Sequence, residues 1–485
     1  MKKLRIIPRL DVKGPNVVKG LQLEGLRVIG KPADLAKKYY EQGADEILYI
    51  DIVASLYERN NLLHVVEETV SKGIFIPITV GGGIRTLEDI KKILRAGGDK
   101  VAINTAATRR PEFITDAARM FGSQCIVGSI EAKYKGDGQW EAYIDNGRER
   151  TGLDAVEWAK KLVELGAGEL LVTSVDREGM HNGLDKELIK RITAEVSVPV
   201  IACGGARDKE DIHSCFKQAE CDGVAFATLL HYNNTTITDV KEFLAKKEMP
   251  IRTDFQISGI AAKDEKNETK KKTISIIDYD VGNMKSIISV FKILGNPVKM
   301  ISTPEDILNA ELLVLPGDGA FGFAMADLKQ KNMIEPIKEY VKSGKPLLGI
   351  CLGMQLLMSK SAEFGNHQGL GLIPGKVIPL KPKSQVKDEQ ENYHVPHMGW
   401  NSLKKPRGAS WKKTILKDIK DGAEAYFVHS YYVAPKNSKH VLATTAYGGQ
   451  EFCTVLMKDN IIGTQFHPEK SGEMGISIIK CFSKM

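Results

Sequence analysis

The sequence predicts an α/β chain of two domains, a closed (β/α)8 TIM barrel over residues 1–252 and a second α/β domain over residues 273–485. Three observations predict it. Short β-rich apolar runs alternate with helical stretches through the first half, that half repeats itself at offsets of 120 to 123 residues, and the segment between the halves, 253–272, loses its apolar periodicity. Strand–helix alternation makes a parallel sheet, and about eight such units in roughly 250 residues close into a barrel.

The strand expectations, in order, are Ile47–Asp51, Ile76–Val80, Lys100–Asn104, Cys125–Ile130, Leu170–Thr173, Val198–Ala202 and Gly223–Ala227. The repeat aligns Ile76-Pro-Ile-Thr-Val-Gly-Gly-Gly-Ile-Arg85 with Val198-Pro-Val-Ile-Ala-Cys-Gly-Gly-Ala-Arg207, and Asp11-Val-Lys13 with Glu131-Ala-Lys133. Two half-barrels are the economical explanation. The stretch 262–273 is nearly all charged or polar and reads as a linker. A second charged stretch, Lys381–Asn392, reads as a surface loop.

Composition excludes several classes. With 42% hydrophobic and 27% charged residues over 485 positions, the chain is an ordinary globular one. A formal charge of +7 over that length makes no demand for nucleic acid. There is no apolar run of about 18 residues and no signal-peptide core, so a cytoplasmic protein without membrane partners is expected. Seven cysteines without a C-x-x-C pair argue against a disulfide framework or a structural zinc, and no metal or cofactor is expected.

A two-fold barrel invites a search for paired chemistry. Gly81-Gly82-Gly83 and Gly204-Gly205 each follow a strand and precede a helix, where backbone N–H groups approach a phosphate closely. Asn104 and Thr105, with Ala227 and Thr228, end the next strands and complete two cradles. A tight βα turn explains either glycine run alone, but the symmetry favours a substrate with a phosphate at each end. Asp11 and Glu131 pair at the C-terminal rim and can serve as acid and base if their surroundings separate their pKa values; a plain salt bridge to Lys13 or Lys133 is the bland alternative. Asp51 and Asp176 are further rim acids, and Thr173 ends a strand on the same rim.

In the second domain, Thr273–Asp278, Leu312–Gly317 and Lys345–Cys351 read as strands. Gly349-Ile-Cys351-Leu-Gly353 has the form G-x-C-x-G, the cysteine version of a nucleophile elbow, with the following helix N-terminus favouring the thiolate. Gly463-Thr-Gln-Phe-His467-Pro-Glu469 supplies a base and a residue to orient it. A buried core cysteine is the alternative for a lone Cys.

These residues carry a resemblance. Gly-Ile-Cys351-Leu-Gly353-Met-Gln355 with Gln-Phe-His467-Pro-Glu469-Lys-Ser471 resembles the class I glutamine amidotransferases, whose fold is doubly wound and flavodoxin-like. Pro396–Asn401 and Phe427–Ser430 narrow the likeness to the glutaminase of the imidazole glycerol phosphate synthase family. Asp11-Val-Lys13, Val18-Lys19-Gly20, Val80–Arg85, Ile103–Ala107 and Thr151–Asp154 resemble that family's cyclase.

The resemblance implies that Cys351, His467 and Glu469 hydrolyse L-glutamine, with Gly317, Gly319, Gly353 and Gln355 at the glutamine and oxyanion site. It implies a ring of Arg5, Glu46, Lys100 and Glu169 gating ammonia into the N-terminal face of the barrel, where the glutaminase docks. Asp11 and Glu131 would convert a bisphosphorylated formimino carboxamide nucleotide to imidazole glycerol phosphate, with Lys19 on a loop over the substrate. Four positions depart from the family pattern: Glu131 for Asp, Arg9 for a small residue, Cys203 for Ser and Asp318 for Val. An ammonia supplier for amidation of a surface-polysaccharide sugar, a phospho-sugar-sensing regulatory protein and an isomerase of the sister barrel family are the alternatives.

Overall fold

The computed structural model describes residues 3–21, 24–54, 62–253, 271–279, 282–317, 319–381 and 393–485. Most of the expected linker, the charged loop after Lys381 and Asp318 lie outside them. The described residues divide into two compact units, one built mainly on the residues before 254 and the other mainly on those after 270.

The first unit begins with β1 (Arg5–Lys13), β2 (Asn16–Leu21) and β3 (Glu24–Gly30). Next come β4 (Ile47–Asp51), β5 (Ile78–Gly81), β6 (Lys100–Ile103), β7 (Ile126–Gly136), β8 (Gln139–Ile144) and β9 (Glu149–Asp154). It ends with β10 (Glu169–Ser174), β11 (Val200–Cys203) and β12 (Gly223–Phe226). Eight of these pair in parallel in the order β10-β11-β12-β1-β4-β5-β6-β7, and β7 pairs back to β10, closing the barrel. The remaining four are antiparallel extensions: β2 and β3 continue from the top of β1, and β8 and β9 from the top of β7. β1 and β7 are repeat equivalents, so the two extensions sit at matching positions of the two halves.

Helices follow the barrel strands where the sequence supplies caps. Thr86 forms a reciprocal capping box with Asp89 at the start of Leu87–Ala96, and Asp208 caps Lys209–Ala219 through the Asp211 N–H. Both caps lie 122 positions apart in the chain and a few residues beyond the two glycine loops. Each loop is therefore held between a strand end and a capped helix start.

The second unit carries a seven-stranded sheet. Ile274–Ile277, Val298–Ile301, Leu312–Leu315, Leu347–Ile350 and Ile461–Thr464 are parallel, and Gln450–Lys458 and Val441–Tyr447 continue the sheet antiparallel. The second strand lies outside the first and the third lies inside it, the order of doubly wound flavodoxin-like sheets. A four-stranded sheet of Met358–Ser361, His367–Gln368, Ile373–Pro379 and Tyr431–Pro435 accompanies it. Leu313, Leu315, Phe321, Leu347, Met354 and Ile461 are among the fully or nearly fully buried side chains of its core.

Candidate functional site

Along β1 the pleat turns alternate residues inward, so Arg5, Ile7, Arg9 and Asp11 form a column up the barrel interior. The interior is consequently layered. At the bottom, Arg5, Glu46, Lys100 and Glu169 are all fully buried and mutually paired. Arg5 donates to Glu46 at 3.1 Å and to Glu169 at 2.5 Å, while Lys100 lies 2.8 Å from Glu46 and 2.5 Å from Glu169. Thr79 adds a bond to Glu46 at 2.5 Å. Burial works against ionising Glu169, but Arg5 and Lys100 outweigh it and hold its carboxyl below the usual range.

Above this ring lies an apolar layer of Ile7, Leu48, Ala102, Val127, Leu171, Ile201 and Ala225, each from a different strand. Above that the interior is charged again. Arg9 Nε lies 2.7 Å from one Asp11 oxygen, and Arg9 Nη1 lies 3.2 Å from both Thr173 Oγ1 and Cys203 Sγ. Lys19 lies 3.2 Å from the other Asp11 oxygen and also pairs with Glu178. Asp11, Arg9, Lys19 and Glu178 are all buried. Burial alone would raise Asp11, yet the two cations pull it down to about 2.

Glu131 sits in a different environment. It accepts the Gly147 N–H at 2.8 Å, and it lines a cavity of about 670 Å³ together with Asp51, Gly82, Gly83, Asn104 and Thr105. Burial pushes Glu131 up to about 7, with the Gly147 bond and Arg9 opposing. The structure thus gathers the first cradle, Asp51 and Glu131 around one cavity. Gly204, Gly205, Ala227 and Thr228 meet around a separate recess of about 10 Å³, which Glu178 also lines.

The glycines of the two loops are sterically required. Gly82 has φ +100° and a side chain there would start 2.2 Å from the Asp51 carbonyl; its counterpart Gly204 has φ +97° and the Ser174 carbonyl at 2.6 Å.

Two rim acids have exchanged prominence relative to the sequence reading. Asp176 is exposed, accepts the Tyr134 N–H at 2.7 Å, and lines a neighbouring pocket with Tyr134 and Trp140. Glu178, two residues on, is the carboxylate that reaches Lys19. In the sequence Glu178 is marked only by its closeness to the end of β10.

In the second unit, the parallel register pairs Ile350 with Thr464, which brings Cys351 and the segment Gln465–Glu469 to the same edge of the sheet. Cys351 has φ +49° and ψ −105°, a conformation costly for a side-chain-bearing residue and held here by its N–H donating to the Thr464 carbonyl at 2.7 Å. The turn needs glycine after it: a side chain on Gly353 would start 1.9 Å from the Leu315 carbonyl. Gly353→Ala is therefore expected to destabilise this unit by about 3 kcal/mol. Denaturant titration with a probe in this unit checks it, and an unchanged midpoint would refute the reading of the turn.

Around the thiol, Gln465 Nε2 lies 3.7 Å from Cys351 Sγ. His467 Nδ1 lies 2.8 Å from Glu469 Oε1, so the carboxylate fixes the ring and directs Nε2 away from itself. His429, also buried, is pushed down to about 4 by burial despite its bond to the Tyr431 carbonyl, and stays neutral. Gln355 donates to the Tyr431 carbonyl at 2.9 Å, the Gly317 carbonyl accepts from Leu352 N, and Gly319 has φ +112°. Glu363 was not anticipated: it is buried and accepts the Phe321 N–H at 2.5 Å, anchoring the segment just after Gly319. Burial pushes Glu363 up to about 7. The helix after Cys351 is short, Leu352–Leu356.

Comparison with known proteins follows the same division. The family described as "Histidine biosynthesis protein" matches residues 5–236, and the family described as "Glutamine amidotransferase class-I" matches residues 275–484. The chain is 56% identical over 213 residues to the imidazole glycerol phosphate synthase subunit HisF of Legionella pneumophila, covering all of that protein and 44% of this chain. It is 48% identical over 248 residues to the HisF subunit of Alkaliphilus metalliredigens, covering 98% of it and 51% of this chain. The chain belongs to the imidazole glycerol phosphate synthase cyclase family. A class I glutamine amidotransferase domain is fused behind the barrel.

The cyclase barrel and the glutamine amidotransferase domain of an imidazole glycerol phosphate synthase are both present in this one chain. Among the described residues no helix is long and apolar enough to cross a membrane, and no group of three or more His, Cys, Asp or Glu side chains is placed to hold a metal ion.

Proposed function

We propose that the chain is a bifunctional, cytoplasmic, glutamine-dependent imidazole glycerol phosphate synthase of histidine biosynthesis, with domains at 1–252 and 273–485 joined by a charged linker at 253–272. One observation carries the proposal. A cysteine in a strained turn at the same sheet edge as a bonded His467–Glu469 pair is encoded in the same chain as a barrel with two matched glycine loops and a carboxylate on each half.

In this reading Cys351 attacks the carboxamide carbon of glutamine and His467 passes the thiol proton to the departing ammonia. Glu469 holds the imidazole, and water then releases glutamate from the thioester. The ammonia enters the barrel through the ring of Arg5, Glu46, Lys100 and Glu169, to which the glutaminase docks, and crosses the apolar layer to the mouth. An uncharged NH3 tolerates that layer and an ammonium ion does not, because an unpaired charge there has no partner. At the mouth it reacts with the formimino carboxamide ribulosyl nucleotide, whose two phosphates occupy the cradles of Gly82, Gly83, Asn104 and Thr105, and of Gly204, Gly205, Ala227 and Thr228. Asp11, Glu131, Lys19, Asp51 and Thr173 surround the reacting portion. The products are imidazole glycerol phosphate, the aminoimidazole carboxamide ribonucleotide and the water formed when ammonia replaces the ribulosyl ketone oxygen.

Purified protein is expected to consume the formimino nucleotide with glutamine and, separately, with ammonium salts. The loss of its absorbance, read beside glutamate release, checks both halves. A second reading has one observation in its favour: Arg9 and Lys19 occupy both Asp11 oxygens, and the second recess is small. This would suit a chain that supplies ammonia for amidating a sugar on another protein. Glutamate release without cyclisation under either nitrogen source selects it.

A further inference from the structure

Three of the departures noted in the sequence meet in space. Arg9 spans from β1 past β12 to bond Cys203 on β11 and Thr173 on β10, and its charge acts on Glu131 on β7. The Cys203 sulfur is the acceptor for the Arg9 guanidinium. Such a set alters the chemistry of the carboxylate pair together.

The two carboxylates are no longer equivalent. Asp11 is held by Arg9 on one oxygen and Lys19 on the other, it is buried, and it does not line the large cavity. Glu131 lines that cavity and accepts one backbone N–H. The charged groups facing Glu131 are Arg9 and Asp11 from β1 and Asp145 from the β8–β9 turn. Those facing Asp11 are Arg9 and Lys19, with Glu178 behind Lys19. His231, buried nearby against Tyr39, is kept neutral by burial and by Lys19, and adds no charge.

We propose, resting on the cyclase reading, that Glu131 alone shuttles the proton of the ring-closing exchange in the barrel, and that Arg9 makes it so by pinning Asp11 as a fixed carboxylate between two cations. Once ammonia has condensed with the ribulosyl ketone and released water, its nitrogen bonds to the formimino carbon and loses a proton to the Glu131 carboxylate. The protonated Glu131 returns that proton to the carboxamide-nucleotide nitrogen as the old carbon–nitrogen bond breaks. One proton has moved from the incoming to the departing nitrogen, Glu131 is restored, and Asp11 has remained an anion that favours the positive charge developing between them. A carboxyl poised near neutrality suits both halves of this exchange, and one held by two cations suits neither. Arg9 is thus a positioning residue and Glu131 the catalytic one.

The test combines two readouts on the full chain. With glutamate labelled by ¹³C at the side-chain carboxyl, the resonance that vanishes in Glu131→Gln is expected to titrate near pH 7. Comparison with that variant separates it from Glu363, which titrates in the same range. Arg9→Met should move the midpoint up by a unit or more, since it removes a nearby cation, and Arg9→Lys should restore it. In parallel, ammonium-supported turnover is measured against pH at constant free NH3. Its inflection should coincide with the Glu131 midpoint and move with it in Arg9→Met. In Glu131→Gln it should be absent, and the rate lower by about 10³-fold.

The proposal is overturned if Glu131 titrates in the ordinary carboxylate range, if Arg9→Met leaves the midpoint in place, or if the kinetic inflection survives in Glu131→Gln. Absence of turnover in the unmodified protein overturns the shuttle together with the cyclase reading on which it rests. The carboxyl titration needs no substrate, and still decides whether Arg9 sets the pair apart.

Discussion

Cys351→Ala abolishes glutamine-dependent turnover, by about 10⁴-fold or more, and leaves ammonium-supported turnover of the barrel in place. The size follows from removing the nucleophile of a group of residues that act as a unit, where little is left once the attacking atom is gone. The selectivity follows from the fold. Cys351 directly follows the strand Leu347–Ile350 of the second unit, and its hydrogen-bond partners Thr464, Val428 and Gln465 belong to the same unit. Alanine adds no bulk at a position whose neighbour Gly353 is packed against Leu315, and so the turn persists. Steady-state assays with the two nitrogen sources decide the matter. Equal loss with glutamine and ammonium would mean that the thiol serves the barrel chemistry, or that the barrel depends on it for folding, and the division of labour would be wrong.

Arg5→Met lowers the stability of the barrel by about 3–5 kcal/mol. In the native ring two cations face two carboxylates, all fully buried, and the charges cancel. Removing Arg5 leaves Glu46 and Glu169 to share Lys100, so one buried carboxylate loses its compensation. Breaking one member of a buried ionic group costs that much because water cannot enter to replace it. For a unit of this size the loss corresponds to a fall in melting temperature of roughly 6–20 °C. Scanning calorimetry measures it, and a shift below about 2 °C would show that the ring is hydrated and does not act as a closed electrostatic unit. The same variant should lower the yield of product per glutamine hydrolysed if the ring is the ammonia entrance.

The positions where local sequence and structure agree are those where chemistry acts over a few residues. The runs at Ile47–Asp51, Lys100–Asn104, Leu170–Thr173 and Gly223–Ala227 became strands within two residues of the expected ends, since apolar β-rich segments have few other places to go. The run at Ile76–Val80 began two residues later, after Pro77, whose missing N–H keeps it from the ladder. The extension of β7 to Gly136 went unnoticed, although Asp137-Gly138 is a hairpin-turn pair and both residues take positive φ, 51° and 69°.

The parts are legible in the unfolded chain: a repeated barrel, a second doubly wound unit, two glycine loops after strands, a cysteine between glycines, and a histidine two residues before a glutamate. These depend on spacing, turn sterics and short-range periodicity, which a chain carries without being folded. Which charges meet depends on the folded barrel. Arg9 finds Thr173 and Cys203, 164 and 194 positions away, and Lys19 finds Glu178 instead of Asp176, because closing the barrel brings strand ends together that are remote in the chain. A carboxylate's protonation is set by those partners and by loss of water. Asp11 and Glu131, equivalent in the repeat, therefore became an anchored anion and a poised acid once the fold surrounded them differently.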